Sequence, residues 1–185
     1  MNDALHKTLA DAVDFLQARG LPFAVIGGIA VAVRGEPRFT ADVDAVVSAN
    51  VDRALALVEE LDGSLFRALF PDVGELVQTA FLLPLRHVQT HIKLDLAIGL
   101  SGFEQQVIAR ATAVHIADRA VPIASSEDLI LMKLLAARPR DIEDAQGIVA
   151  RQRALDWQYV RQLGKDLQEA LGVNLMAQIA DLERS

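Results

Sequence analysis

Cysteine is absent from the 185 residues of the sequence. Its absence excludes disulfide scaffolds, catalytic thiols and zinc sites built from thiolates. No apolar run approaches the roughly 18 residues that a membrane-spanning helix requires. The first residues also lack the basic segment and apolar stretch of a signal peptide. We therefore expect a cytoplasmic protein that does not span a membrane and whose chemistry depends on side chains other than thiols.

An excess of positive charge is absent too, because 25 acidic residues outnumber 18 basic ones and give a net charge of −7. This charge argues against a protein that binds nucleic acid chiefly by electrostatic attraction. It does not exclude a small anionic ligand that is bound through metal ions. With 52% hydrophobic residues, the chain has the composition of a globular protein with a substantial core.

The hydrophobic pattern predicts a mixed α/β (α+β) fold, with a mixed sheet flanked by helices over residues 1–124. Residues 125–185 are predicted to form a helical tail packed on that core. Asn50 and Ser125 have the position of helix N-caps. Short apolar runs predict strands over residues 22–26 and 41–47, and a pair of strands over 76–83 and 88–98 joined by a turn at 84–87.

Gly27 and Gly28 stand between a predicted strand and a predicted helix. Glycines at such a junction let the backbone approach a phosphate, and the first turn of the helix offers amide donors and a partial positive charge. A tight strand-to-helix turn without a ligand is the simpler explanation of this pair taken alone. The two glycines therefore indicate a phosphate-binding turn only in combination with other features.

Asp42 and Asp44 lie at alternate positions of a predicted strand, so both carboxylates emerge on the same face. Like charges held side by side raise each other's pKa unless a cation neutralises them, and Mg²⁺ prefers such oxygen ligands. The alternative is two solvated acids on an edge strand. A later strand has Lys93 and Asp95 on its polar face, and Asp95 as a third carboxylate would complete a site for one or two Mg²⁺ ions. The alternative for this strand is the solvent-facing side of an antiparallel sheet, which would be preferred without Asp42 and Asp44.

Lys133 is the only charged residue in an otherwise apolar helical run. It either extends along the helix to reach solvent or contacts a phosphate in a cleft. Asp141 and Asp144 lie three residues apart on a following helix. These two acids could pair with nearby arginines or with Lys133 and so be purely structural.

Taken together, these residues resemble the minimal nucleotidyltransferase superfamily, which has the polymerase-beta-like fold. The resemblance rests on Gly27-Gly28, thirteen intervening residues, Asp42-Val-Asp44 and a single Asp95 between leucines. It covers roughly residues 20–150. In four individual segments the sequence is also similar to the AbiEii-like toxin nucleotidyltransferases of type IV toxin–antitoxin systems. These segments are Gly27-Gly28-Ile-Ala-Val-Ala-Val-Arg-Gly35, Arg38-Phe-Thr40-Ala-Asp42-Val-Asp44, Ser126-Glu-Asp-Leu-Ile-Leu-Met-Lys133 and Arg140-Asp141-Ile-Glu-Asp144.

This resemblance implies a role for each motif. The three carboxylates would hold two Mg²⁺ ions, and the two glycines would cradle the phosphates of a nucleoside triphosphate. Arg38, Thr40 and Lys133 would lie near the triphosphate, with Asp141 orienting the lysine or acting at the acceptor. Many relatives have serine where this chain has Gly28, so any phosphate contacts at that position come from the backbone alone.

The resulting hypothesis is a Mg²⁺-dependent transfer of NMP from an NTP to a hydroxyl acceptor, with Asp95 as the nearest candidate base. The acceptor is a tRNA end, a protein or a small molecule, and an antitoxin protein is a possible partner. Three other readings stay open: a phosphotransferase toxin with the same fold, a non-catalytic nucleotide-binding protein, and a purely structural α/β protein.

Overall fold

The chain divides into two units, which are described separately. A computed structural model describes residues 2–100, 102–116 and 118–184. The first unit contains the chain up to Ile29 and the segment Phe39–Ala124. The second unit contains the segment Ala30–Arg38 and the chain from Ser125 onward.

The first unit is built on one sheet, which has seven strands in the described part of the chain. In chain order the strands are β1 Phe23–Val25, β2 Val43–Val47, β3 Phe66–Ala68, β4 Leu82–His87, β5 Lys93–Ile98, β6 Thr112–Ile116 and β7 Arg119–Ile123. Their order in the sheet is β3-β4-β5-β2-β1-β7-β6. The pairs β2–β5 and β1–β7 are parallel and the other neighbours are antiparallel. The mixed α/β fold predicted from the sequence is therefore confirmed.

Helices connect most of these strands. They are α1 Asp3–Gln17, α2 Gly27–Arg34, α3 Val51–Glu59, α4 Val73–Thr79 and α5 Gly102–Arg110. The predicted cap at Asn50 is confirmed, since its side-chain oxygen accepts a hydrogen bond of 2.7 Å from the Arg53 amide. Helix α2 begins in the first unit and ends in the second.

The strand predicted over residues 76–83 is wrong over 76–79, which belong to α4, while 82–83 do lie in a strand. The turn predicted at 84–87 is wrong, because β4 runs from Leu82 to His87. Pro84, which lacks an amide donor, misled the prediction. The Pro84 carbonyl accepts from the Leu69 amide, one residue beyond the end of β3. Since the nitrogen and carbonyl of one strand residue point the same way, the proline nitrogen faces a position where no strand pairs with it, and the β4–β5 ladder stays intact.

The second unit is helical. Besides the end of α2 it contains α6 Ser126–Ala136, α7 Pro139–Arg151, α8 Trp157–Leu171 and α9 Leu175–Arg184. The cap predicted at Ser125 is confirmed, because its hydroxyl accepts a hydrogen bond of 3.1 Å from the Asp128 amide. None of the helices in the described ranges combines the length and the hydrophobicity that crossing a bilayer requires.

Candidate active site

Two of the predicted carboxylates lie side by side on neighbouring strands of the first unit. Asp44 is the second residue of β2, Asp95 is the third residue of β5, and the two residues are register partners in this parallel pair. Residues in register on adjacent strands project on the same face, about 5 Å apart. Asp42 lies in a bend, one residue before β2. The sheet thus brings Asp44 and Asp95 together, and Asp42 lies at the start of the same strand.

Gly27 closes one side of this carboxylate site. Strand β1 is antiparallel to β2, so the end of β1 meets the start of β2, and the Ile26 amide donates to the Asp44 carbonyl at 2.9 Å. Gly27 follows with a φ of +61°, which L side chains rarely adopt, and a Cβ added there would lie 2.1 Å from Asp44 Oδ2. Only glycine permits this approach. Gly28, the next residue of α2, is buried.

Lys93 is a charged neighbour of the site, and its contact with Asp95 was not predicted from the sequence. Its ammonium donates to Asp95 Oδ2 at 2.6 Å, with side-chain exposures of 35% for the lysine and 19% for the aspartate. The hydrogen bond to Asp95 raises the pKa of Lys93, against the opposing effect of burial, and the negative charges of Asp95, Asp42 and Asp44 raise it further. The ammonium therefore lies in the field of all three carboxylates. The spacing of two residues on a strand, which puts Lys93 and Asp95 on one face, was the available signal.

The second Asp95 oxygen has a different environment. Asp95 Oδ1 is buried and has no hydrogen-bond partner among the described residues. A buried carboxylate oxygen without a donor is costly, and a hard divalent cation is the kind of group that would satisfy it. Within the described ranges, no three His, Asp or Glu side chains converge closely enough to hold a metal ion. The carboxylate oxygens of Asp44 and Asp95 are nonetheless donors of the type that a hard divalent cation prefers, and Lys93 is bound to one of them.

Thr40 belongs to the same unit. Its hydroxyl donates to the backbone carbonyl of Asp42 at 3.3 Å, so it braces the turn that leads into β2. This contact is made by a side chain that was expected near the triphosphate. In the structure, Thr40 acts on the position of Asp42.

The remaining predicted residues form an ion-pair network in the second unit, in which Lys133, Asp141 and Asp144 are buried. Lys133 Nζ lies 2.8 Å from Asp141 Oδ1 and 2.8 Å from Asp144 Oδ2. Arg38 Nη2 donates to Asp144 Oδ2 at 2.9 Å, Arg38 Nε lies 2.7 Å from Asp144 Oδ1, and Arg138 binds Asp141. The sequence showed the spacing of the acids, but not that Asp144 joins Lys133 to Arg38.

The hydrogen bonds of this network set the ionisation of Asp141. Burial raises the pKa of its carboxyl, but the hydrogen bonds from Arg138 and Lys133 outweigh burial and hold the pKa below its ordinary value of 3.8. The carboxylate form is thus favoured next to the buried ammonium. Lys133 does not extend to solvent, since only 11% of its side chain is exposed.

Comparison with solved structures identifies the fold. The solution structure of the antibiotic-resistance factor ANT(2'')-Ia matches with a TM-score of 0.58 and 19% identity, over 93% of this chain and 97% of that one. An antigenic nucleotidyltransferase-like protein from Paracoccidioides brasiliensis gives 0.56 and 20%, over 94% of each chain. The lincosamide antibiotic adenylyltransferase LnuA, bound to lincomycin, gives 0.53 and 15%, over 79% of this chain and 97% of that one. No curated protein matches the sequence.

The fold is accordingly that of the nucleotidyltransferases. The family model described as "Nucleotidyltransferase of unknown function (DUF6036)" matches residues 4–183, so the chain belongs to this family. The predicted superfamily and the prediction of a nucleotidyltransferase enzyme are confirmed. The narrower assignment to the AbiEii-like group stays a prediction.

Proposed function

We propose that the protein transfers NMP from an NTP to a hydroxyl acceptor, with divalent metal ions bound by Asp42, Asp44 and Asp95. The observation that carries the proposal is the carboxylate site of the first unit. There Asp44 and Asp95 are register partners, Asp95 Oδ1 is buried without a hydrogen-bond partner in the described ranges, and Gly27 admits no side chain beside Asp44. Membership of a nucleotidyltransferase family supports the same reaction.

Each group of the chain has a task in this reaction. The backbone amides of Gly27 and Gly28, at the N-terminus of α2, bind the triphosphate. Asp95 accepts the proton of the acceptor hydroxyl. Bound Mg²⁺ supplies charge neutralisation of the triphosphate and a lower pKa for the attacking hydroxyl. Thr40 holds the turn that carries Asp42.

Arg38, Lys133 and Asp141 have a supporting role in the proposal. The resemblance to the superfamily, which places such residues near the triphosphate, is what supports this role. Asp141 holds the Lys133 ammonium in place with a 2.8 Å hydrogen bond. Asp141 is thus a positioning residue, which acts through the lysine.

A small molecule is the acceptor that we favour. One of the matching solved structures is ANT(2'')-Ia in complex with adenylyl-2''-tobramycin, with a TM-score of 0.53 and 19% identity. The LnuA structure contains lincomycin. Both names describe antibiotic modification, and the net charge of −7 also favours an acceptor other than a long polyanion.

A cytoplasmic toxin is the second candidate. It is supported by the similarity of the segments around Gly27, Asp42 and Lys133 to the AbiEii-like group. Such a toxin would transfer NMP to a tRNA end or a protein, and a cognate antitoxin would be its partner. A growth defect on expression, relieved by substituting the carboxylates, distinguishes this candidate from an antibiotic-modifying enzyme.

The double substitution Asp42→Asn and Asp44→Asn tests the reaction itself. We expect NMP transfer from labelled NTP to fall by at least about a thousandfold, because electrostatic stabilisation of the triphosphate is the main catalytic contribution in such sites. The matched control is Asp72→Asn, an exposed helix cap whose side chain makes no capping hydrogen bond. Full transfer by the double variant contradicts the proposal. Product analysis separates an NMP-tagged acceptor from a phosphorylated one, which would indicate a phosphotransferase.

A further inference from the structure

The Lys93 ammonium is bound to Asp95, which is one of the proposed metal ligands. The ammonium binds Asp95 Oδ2 at 2.6 Å, and both side chains are on the less buried face of β5. The other Asp95 oxygen, Oδ1, is buried and has no hydrogen-bond partner among the described residues. A divalent cation that bound Asp44 and Asp95 together would come within a few ångströms of this ammonium, and the two positive charges would repel.

We propose that Lys93 is an internal counter-ion of the carboxylate site, which holds Asp95 in the metal-free protein and which a divalent cation displaces on binding. The inference rests on the proposed function, because it assumes that the three aspartates are metal ligands. It assigns to Lys93 the role of a positioning residue that sets how tightly the site binds metal in the absence of nucleotide.

The position of Lys93 permits such an exchange. It is the first residue of β5, and 35% of its side chain is exposed. A lysine ammonium on a flexible four-carbon stem can therefore leave Asp95 without a change in the sheet.

Displacement has a consequence for the order of binding. When metal ions bind alone, they displace the Lys93 ammonium from Asp95, and the ammonium gains no new anionic partner in return. A nucleotide brings its phosphates, which give the displaced ammonium a new anionic partner. Metal and nucleotide should therefore bind cooperatively, and the coupling should depend on Lys93.

Mn²⁺ binding to the full chain without nucleotide tests the inference. We expect Lys93→Met, which keeps an apolar stem, to bind Mn²⁺ about tenfold more tightly than the original chain in calorimetric titration, and to lose most of the coupling to ATP. The matched control is Arg86→Met. Arg86 is the exposed register partner of Lys93 on β4, so this substitution removes one positive charge from the same face of the sheet. The Mn²⁺ affinity of the Arg86→Met variant should stay within about twofold of that of the original chain.

A measurement on the unsubstituted chain covers the case in which Lys93→Met does not fold. The sequence has four lysines, so the side-chain NMR signals of Lys93 can be followed during a Mg²⁺ titration. A Mg²⁺-dependent shift of Lys93 signals, with Lys7 and Lys165 unchanged, supports displacement. Equal Mn²⁺ affinity of Lys93→Met and Arg86→Met, an unmoved Lys93 signal, or an absence of metal binding in every variant overturns it.

The outcomes for Lys93 and for the reaction are separable. Tighter Mn²⁺ binding by Lys93→Met, with no NMP transfer to any acceptor, would support the counter-ion and count against the reaction. Unchanged Mn²⁺ affinity, together with loss of transfer in the Asp42 and Asp44 double variant, would overturn the counter-ion and leave the reaction standing.

Discussion

At the scale of single residues, Gly27 is the position where backbone geometry and the carboxylate site meet. Gly20 has nearly the same φ, +62° against +61°, but a Cβ there would meet nothing within 4 Å. Gly20→Ala should therefore cost only the left-handed backbone penalty, about 1–2 kcal/mol. Gly27→Ala should cost about 1–3 kcal/mol more, because its methyl group overlaps Asp44, and it should also weaken Mn²⁺ binding. Urea unfolding and Mn²⁺ titration of both variants measure these effects, and equal losses would contradict the role given to Gly27.

The residues of the carboxylate site could be predicted from the sequence to different extents. The spacing of Asp42 and Asp44 reveals one shared face, because alternation along a strand is a local property. That Asp95 is the register partner of Asp44 depends on which strands are neighbours, and the sequence reached it only through resemblance to a family. The burial of Asp95 Oδ1 is a tertiary property with no local signal. The sequence places Lys93 on the predicted polar face, but its hydrogen bond to Asp95 could be recognised only from the side-chain geometry.

At the scale of helices and strands, the network between α6 and α7 should show in acid unfolding. The pKa of Asp141 is lowered in the folded state, although burial opposes this, by hydrogen bonds from Arg138 and Lys133. A lowered folded-state pKa stabilises the protein above the ordinary value of 3.8, and this stabilisation is lost as the pH falls below that value. The free energy of unfolding of the original chain should therefore fall more steeply from about pH 4 to pH 2 than that of Asp141→Asn.

An exposed pair provides the control for this pH dependence. Asp14 also has a lowered pKa, caused chiefly by a hydrogen bond from Arg119, but both side chains are more than 40% exposed. Salt at about 0.5 M should suppress the difference made by Asp14→Asn and leave that of Asp141→Asn, because screening acts mainly on exposed charges. If the free energy of unfolding depends on pH equally steeply in the original chain and in Asp141→Asn, the stabilising role of the ionised, buried Asp141 carboxylate is contradicted.

Helix caps were more predictable than strand boundaries in this chain. Asn50 and Ser125 act through hydrogen bonds to amides three residues on, so their signal is local. Pro84 is the opposite case. A proline inside a strand is tolerated only where its nitrogen faces no partner, and here that depends on β3 ending at Ala68, which residues 84–87 do not reveal.

At the scale of the whole molecule, alternating strand and helix patterns were enough for the fold class, and four motifs together were enough for the superfamily. The division into units was less accessible. Residues 30–38 lie in the second unit although α2 is one continuous helix from Gly27 to Arg34, and no composition change marks the boundary. Long-range packing decides such a boundary, since local propensity is the same on both sides.

The net charge of −7 leads to a prediction about the acceptor. An acidic protein attracts a cationic small molecule and repels a polyanion, and both effects weaken as salt screens the charges. With labelled ATP, we expect AMP transfer to a polycationic aminoglycoside with a KM that rises by roughly threefold to tenfold between 50 and 500 mM salt. A neutral polyol acceptor should show a KM that salt leaves unchanged, which makes it the control. Transfer to bulk tRNA that exceeds transfer to the small molecules would contradict this prediction and favour the toxin, because an enzyme with this charge would then need a localised RNA-binding surface that overcomes its overall repulsion.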